Sequence, residues 1–319
     1  MALAPALKTW LLVVPAVVLL GVAGLRLGSH AQHTAPVASA SLASELPVSA
    51  MASAPVGAAL RAATPRERSN ALPSGLPLDI RADIEGDTDL YAYAQRLGMQ
   101  ADGGNVEARW MLSRVYDYCS QYAMDPGGYQ LDNHVLTGLG DATSTAMAAA
   151  RQRVAARCGG FVASDGLGYA LVTQQRQQAA AGGSLAAEAA LWADGQPLHE
   201  GGAYRRALVQ RVMDSRDPEA YMALAPAMGL RAAGDKALAG MVAGDPLTEV
   251  AWRVAACELG MACGPQSLLM NSFCANGGIC TQDAGQDFTD FVYDAAVARQ
   301  GTGRLREWVR QLVDKREGQ

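Results

Sequence analysis

From about residue 78 onward, apolar residues recur every three or four positions between short breaks of glycine, aspartate and proline. This spacing is typical of amphipathic helices. The clearest case follows Asn105, a residue type that caps helix N-termini well, and Glu107 suits the positive end of the helix dipole. The apolar stripe on one face of this predicted helix consists of Ala108, Met111, Leu112, Val115 and Cys119. We therefore predict a helix that begins just after Asn105.

Similar helix starts recur further along the chain. Asp217 and Asp245 are each followed by a proline, which is tolerated in the first turn of a helix. Ser184 is expected to cap another helix that runs to Trp192. Because β-branched residues never cluster in alternating runs, strands are not expected, and the pattern predicts an all-α fold.

The turns before two of these helices also repeat. Residues 101–105 read ADGGN and residues 180–184 read AAGGS, and residues 243–245 give a shorter version. The repeating unit is therefore a helix, a glycine turn and a capped helix. Because an αα-hairpin cannot bury its apolar face alone, such units are expected to stack. We predict irregular stacked αα-hairpins over residues 78–319.

The sequence GNVEARWML at residues 104–112, ending near Tyr116, resembles the tetratricopeptide-related Sel-like repeat. That family shows Gly-Asp/Asn-x-x-Ala, followed by Leu and then Tyr. Residues 256–263, which contain Cys257 and Cys263, are similar to the cysteine-rich branch of the family. The resemblance implies a helical scaffold that binds partners and does not catalyse a reaction.

The first 29 residues have a different pattern. Residues 10–25 form an uncharged apolar run, interrupted only by Pro15 and two glycines, and Arg26 follows it. One interpretation is a secretory signal peptide that is cleaved after Ala31. The other is an uncleaved transmembrane anchor. Its helix could continue past Arg26 if the charged end of that side chain reaches the membrane surface. The length of the run favours the anchor, and either interpretation sends the rest of the chain across a membrane.

Residues 30–77 are rich in alanine, proline and serine, and their apolar residues follow no sustained period. Such a segment cannot bury enough surface to offset the entropy of ordering. We predict a disordered linker that holds the helical domain away from the membrane. The alternative is a low-complexity spacer with no function of its own.

Composition limits the possible partners. Half of the residues are apolar, which permits a sizeable core, and the formal net charge is −5. A nucleic-acid surface would need clustered lysine and arginine, so no nucleic-acid partner is expected. The expected partners are an unidentified protein of the cell envelope and, if the first segment is retained, the inner membrane.

All cysteines fall in the predicted helical domain, and their number is even, which in an exported protein indicates disulfides. They are Cys119, Cys158, Cys257, Cys263, Cys274 and Cys280. This inference predicts a periplasmic or other extracytoplasmic location.

The last four cysteines form two C-x-x-G-x-x-C motifs, at residues 257–263 and 274–280. A helix that ends at a left-handed glycine folds the chain back, which favours a local pair within each motif and leaves Cys119 with Cys158. The nested pairs Cys257–Cys280 and Cys263–Cys274 are the alternative. Zinc fits poorly, because its paired ligands are usually two to four residues apart.

No catalytic motif is found: the sequence lacks a metalloprotease His-Glu-x-x-His, a nucleophile elbow, a phosphate-binding loop and a dinucleotide fingerprint. No cofactor is therefore expected. The most unusual stretch is residues 120–142, which we interpret as a long loop, and long loops are often functional. Its candidate binding residues, with one neighbour, are Tyr118, Tyr122, Tyr129, Asp132 and His134. The alternative is an ordinary surface loop tied down by Cys119 and Cys158.

These observations predict a non-catalytic, exported, helical repeat-like protein that acts as a protein-binding or scaffolding module in the cell envelope. Two alternatives are kept. One is a membrane-anchored folding helper for a secreted enzyme, similar in layout to the lipase foldases but without their Arg-x-x-Phe-Asp-Tyr signature. The other is a helical cell-wall hydrolase that would rely on a single glutamate.

Overall fold

The computed structural model describes residues 80–86 and 89–314, all of which belong to one compact unit. The predicted signal or anchor segment, residues 1–29, and the predicted linker, residues 30–77, lie outside the described residues. Within the described part the secondary structure is helical, which confirms the all-α prediction. Among these residues, none of the helices has the length and apolar character needed to span a membrane.

Twelve α-helices lie within the described residues, together with short 3-10 turns and one π-helical turn, Val292–Ala296, which follows α11. The helices are α1 (Leu90–Asp102), α2 (Val106–Met124), α3 (Pro126–Leu139), α4 (Ala142–Cys158), α5 (Tyr169–Ala181), α6 (Leu185–Ala193), α7 (Gly202–Ser215), α8 (Pro218–Met228), α9 (Pro246–Glu258), α10 (Leu268–Gly277), α11 (Phe288–Phe291) and α12 (Arg299–Val313).

The predicted helix starts are confirmed, and each is fixed by a local side-chain cap. The Asn105 side chain accepts a hydrogen bond from the Ala108 N–H at 3.0 Å at the start of α2. Ser184, Asp217 and Asp245 cap α6, α8 and α9 in the same way. These bonds satisfy N–H groups that the first helical turn leaves without partners.

The two repeated turns adopt the same conformation. Gly104 and Gly183 have φ angles of 91° and 99°, values that a residue with a side chain rarely adopts. The N–H group that follows each glycine, at Asn105 or Ser184, reaches back to a carbonyl five residues earlier, at 2.9 and 3.0 Å respectively. This is the Schellman ending of a helix, so the sequence repeat is also a structural repeat.

The helices pack as pairs, and the pairs are linked through shared helices. The sequential pairs are α1–α2, α3–α4, α5–α6 and α8–α9; α2 also packs on α5, α6 on α8, and α9 on α12. Alanines permit close approach of the backbones, and Ala186, Ala187, Ala189 and Ala190 of α6 are all buried. Trp252 and Tyr221 fill the α8–α9 contact, with ring centroids 4.9 Å apart.

The structure contains three disulfides, and it confirms the local pairing of the last four cysteines. Cys119–Cys158 joins α2 to α4, with a Cα–Cα distance of 5.5 Å. Cys257–Cys263 and Cys274–Cys280 close the two motifs, at 5.6 and 4.4 Å. The four cysteine sulfurs that zinc would need as ligands are thus taken up in two disulfide bonds.

In each C-x-x-G-x-x-C motif, the central glycine was predicted to end the helix in a left-handed conformation. This prediction is correct in only one of the two motifs. Gly260 has a φ angle of 108°, as expected for the residue that ends α9. In the second motif, Gly277 is still helical, and Gly278, with a φ angle of 67°, ends α10. Because two glycines are adjacent there, the helix continues for one residue more before the chain turns.

The prediction that residues 120–142 form a loop is wrong. Helix α2 continues to Met124, and α3 occupies most of the remainder. Asp125 caps α3 by accepting from the Gly128 N–H at 2.9 Å, Pro126 occupies the first turn, and Gly140 ends the helix with a φ angle of 72°. The glycines and polar residues that suggested a loop are the start and stop signals of a short helix.

Candidate functional site

The residues that line the first candidate site come from helices that are far apart in the sequence. A cleft of about 350 Å³ opens between α2, α5, α6, α8 and α10. We call it the central cleft. Pockets of this size commonly accept a ligand or a peptide side chain.

One face of α2 forms a wall of the central cleft. Trp110, Arg114, Asp117 and Tyr118 all line it, because residues three, four, seven and eight positions apart share a helix face. This face differs from the apolar stripe of the same helix, which packs into the core. Trp110 and Tyr118 are themselves buried, so this wall of the cleft is also part of the core.

An ion pair joins this wall to α8. Arg114 donates to Glu219 at 2.5 Å, and the Trp110 indole N–H donates to the other carboxylate oxygen at 3.2 Å. Glu219 is only 5% exposed, since it lies in the first turn of α8 and points toward α2. A buried carboxylate needs such partners, because desolvation would otherwise destabilise its charge.

A second guanidinium spans the cleft from α5. Arg176 donates to Asp194 at the end of α6 at 2.6 Å, and to Asp117 of α2 at 2.8 Å. The Asp117 side chain remains 59% exposed. The central cleft thus contains three carboxylates and two guanidiniums, and each carboxylate accepts from a guanidinium.

Two neutral polar side chains of the central cleft are not used by the protein itself. The Tyr118 hydroxyl, by contrast, is buried, and Arg157 lies beside it. Within the described residues, the side chains of Ser272 and Asn276 on α10 form no hydrogen bond, although both line the cleft. Met222 and Pro226 of α8 supply apolar surface beside them. The cleft therefore offers both hydrogen-bonding groups and apolar contacts to a ligand.

Behind the cleft, Glu85 ties the segment before α1 to the start of α10. Its carboxylate accepts from the Leu268 N–H at 3.0 Å. Burial raises the pKa of Glu85, while this hydrogen bond and the nearby Arg114 act in the opposite direction. Burial also raises the pKa of Tyr118, so its hydroxyl stays protonated and able to donate. Glu85 itself does not line the central cleft.

The structure separates the five residues predicted to bind a partner. Tyr118 faces the central cleft. Tyr122 and Tyr129 are buried against each other, with ring centroids 5.5 Å apart. Asp132 and His134 are exposed on α3.

Arg151 of α4 contacts two of these residues, Tyr129 and Asp132. Its guanidinium lies 3.7 Å from the centroid of the Tyr129 ring and 3.5 Å from the Asp132 carboxylate. It also donates to the Asn133 side chain at 2.8 Å. Since Arg151 is buried, these contacts fasten α3 to α4.

Sequence reasoning did not identify Arg114, Arg176 and Glu219 as site residues. Its assignment of Trp110 to the core is confirmed, although this side chain also lines the cleft. The available signal was the spacing of Trp110, Arg114 and Asp117, which places an aromatic and two charged residues on one face of a helix. Their partners on α5, α6 and α8 carry no comparable local signal.

Comparisons with known proteins do not assign the site: the chain matches no protein-family model, no curated protein and no solved structure. Within the described residues, no group of three or more histidine, cysteine, aspartate or glutamate side chains is placed to hold a metal ion.

Proposed function

We propose that this chain is a non-catalytic, exported protein-binding module of the cell envelope, and that the central cleft holds a segment of its partner. The observation that carries the proposal is the composition of the cleft. Its carboxylates already accept from guanidiniums, whereas the side chains of Ser272 and Asn276 offer free neutral groups beside apolar surface. Such a surface provides recognition groups and no isolated acid or base.

The chemistry of the cleft indicates the kind of segment that it would accept. Carboxylates outnumber guanidiniums, and Asp117 keeps much of its surface exposed at the rim. A neutral or basic polypeptide segment therefore suits the cleft better than an acidic one. The apolar surface of Met222 and Pro226 would contact an aliphatic side chain of that segment.

The extracytoplasmic location rests on the cysteines. Three disulfides are consistent with an oxidising compartment. The Sel-like resemblance agrees with a partner-binding role, because that family implies a helical scaffold. Neither the folding-helper nor the hydrolase alternative is favoured by a specific observation among the described residues.

Site-specific photo-cross-linking tests this proposal. A photoreactive amino acid would replace Asn276 or Ser272 in the full chain, which would be produced in its native host so that the cell envelope is intact. The matched control would carry it at Gln311, which is exposed on α12. We expect the same partner polypeptide to be cross-linked from both cleft positions and not from the control.

A blocking variant makes the test specific. Ser272→Trp would fill the cleft and should abolish cross-linking from position 276, while the three disulfides remain intact by non-reducing mass measurement. Equal cross-linking from positions 276 and 311, or none from either cleft position, would rule out the central cleft as the binding site.

A further inference from the structure

A second cavity, separate from the central cleft, lies between α4 and α10. Its volume is about 400 Å³, and the loop that follows α10 closes one side. We call it the α4–α10 pocket. One face of α4 supplies Ala146, Ala149 and Arg153, and α10 supplies Met270 and Asn271. The walls are therefore mainly small or apolar, with a guanidinium among them.

Of the residues that the structure describes, Arg153 is the one charged side chain that lines this pocket. Its Nε donates to the Asn271 side-chain oxygen at 2.7 Å, which fixes the orientation of the guanidinium. Among the described residues, no carboxylate forms an ion pair with Arg153, and its two Nη groups donate to no protein atom. The two guanidiniums that line the central cleft, Arg114 and Arg176, each have a carboxylate partner.

The acidic residues near the pocket do not compensate this charge. Asp141 caps α4 and accepts from the Ser144 N–H at 2.9 Å. Asp283 accepts from the Gly285 N–H at 2.8 Å within its own loop. Neither lines the pocket. Burial lowers the pKa of Arg153, and the nearby Tyr118 acts in the opposite direction; an arginine nevertheless stays protonated.

We propose that the α4–α10 pocket binds a carboxylate that carries a short uncharged body, with the two Nη groups of Arg153 as its anchor. A planar guanidinium whose terminal nitrogens are free can hold both oxygens of a carboxylate. The alanines and Met270 would contact an aliphatic body, and Gln282 at the loop side offers an amide to a polar one. This chemistry is shared by the C-terminus of a peptide and by a free short-chain carboxylic acid.

This proposal does not depend on the central cleft. None of the residues that line the α4–α10 pocket lines the other cavity, even though α10 contributes to both. Loss of one binding activity would therefore leave the other testable.

The experiment is isothermal titration of the full chain with two pairs of probes. Hexanoate is compared with hexanamide, and N-acetyl-trialanine with its C-terminal amide. We expect each carboxylate that binds to do so at least about tenfold more tightly than its amide, as a charge-assisted bidentate pair requires. Binding of only one carboxylate would identify the source of the ligand and still support the proposal.

Three variants make the result specific. Arg153→Gln should weaken carboxylate binding at least about tenfold. Arg299→Gln removes the same charge from an exposed position on α12 and should change nothing. Ala149→Leu would fill the pocket and abolish binding while Arg153 is retained. If Arg153→Gln fails to fold, Ala149→Leu alone still tests whether the carboxylate binds in this pocket.

The proposal is overturned if carboxylates and amides bind equally, if neither carboxylate binds at millimolar concentration, or if Arg153→Gln and Arg299→Gln behave alike.

Discussion

At the residue scale, the central cleft depends on guanidiniums that connect helices from different parts of the chain. Arg114 reaches Glu219 on α8, and Arg176 reaches Asp117 on α2 and Asp194 just after α6. The pairs differ in burial, since Glu219 is nearly inaccessible whereas Asp117 is largely exposed. Their contributions to stability should differ accordingly, because exposed ion pairs contribute little.

Glu219→Gln should lower the free energy of unfolding by about 3 kcal/mol, because it leaves the largely buried Arg114 guanidinium without its charged partner. The variant keeps an oxygen that can accept from Trp110, so the lost charge is the main change. Glu307→Gln is the matched control, since its pair with Arg310 is exposed on both sides, and it should cost less than about 1 kcal/mol. Urea denaturation of both variants measures the difference, and equal losses would contradict the assignment.

Glu85 should make stability depend on pH in a defined direction. Burial raises its folded-state pKa above the ordinary value of 4.5, so the folded protein holds this proton more tightly than the unfolded chain does. Its contribution is therefore complete below about pH 4.5 and is lost as the pH rises through the folded-state pKa. Glu85→Gln keeps an acceptor for the Leu268 N–H but cannot titrate.

The measurement is urea denaturation of Glu85→Gln and of the natural chain between pH 4.5 and pH 7. Relative to the natural chain, the variant should become more stable as the pH rises. Parallel profiles would show that the folded and unfolded pKa values of Glu85 are the same.

At the element scale, glycine has opposite effects in a helix and in the turn that ends it. Gly98 lies inside α1, and an added Cβ would meet no atom within 4 Å. Gly183 is equally unobstructed, but its φ angle is 99°. The two positions therefore isolate the effect of backbone conformation from that of crowding.

Gly98→Ala should stabilise the protein by about 0.5–1 kcal/mol, because alanine loses less backbone entropy in a helix. Gly183→Ala should destabilise it by about 1 kcal/mol, because a Cβ disfavours the left-handed conformation. Thermal denaturation of the two variants should shift the melting temperature in opposite directions. A shift in the same direction would mean that the Gly183 turn relaxes to another conformation.

At the scale of the whole molecule, the disulfides close loops of very different length. Cys119 and Cys158 are 39 positions apart, and both are fully buried. Each of the other pairs spans 6 positions and contains one partly exposed cysteine. In the chain-entropy account, a longer closed loop restricts the unfolded state more strongly. The α2–α4 disulfide should therefore contribute most to stability.

Replacing both cysteines of each pair by alanine tests this order. Loss of Cys119–Cys158 should lower the free energy of unfolding by about 4 kcal/mol, and loss of either local pair by about 2 kcal/mol. Urea denaturation gives the values, and non-reducing intact mass confirms that the remaining pairs have formed. Equal losses for the three variants would show that loop length does not control the effect.

The features that the sequence determined by itself are those that form between neighbouring residues. The caps at Asn105, Ser184, Asp217 and Asp245 and the repeated glycine turns depend only on the next few residues. The two local disulfides close within six positions. Such short-range contacts are nearly independent of packing, so pattern and spacing were enough to predict them.

The tertiary structure alone decided which helix faces meet. Arg114 and Glu219 are 105 positions apart, and Arg176 and Asp117 are 59 apart, so their pairing depends on how intervening helices pack. The stretch that resembled a loop is a helix that Arg151, on the next helix, fastens in place through Tyr129, Asp132 and Asn133. Both cavities likewise form from distant segments. Contacts of this range have no local signature, because packing geometry and not sequence spacing brings the groups together.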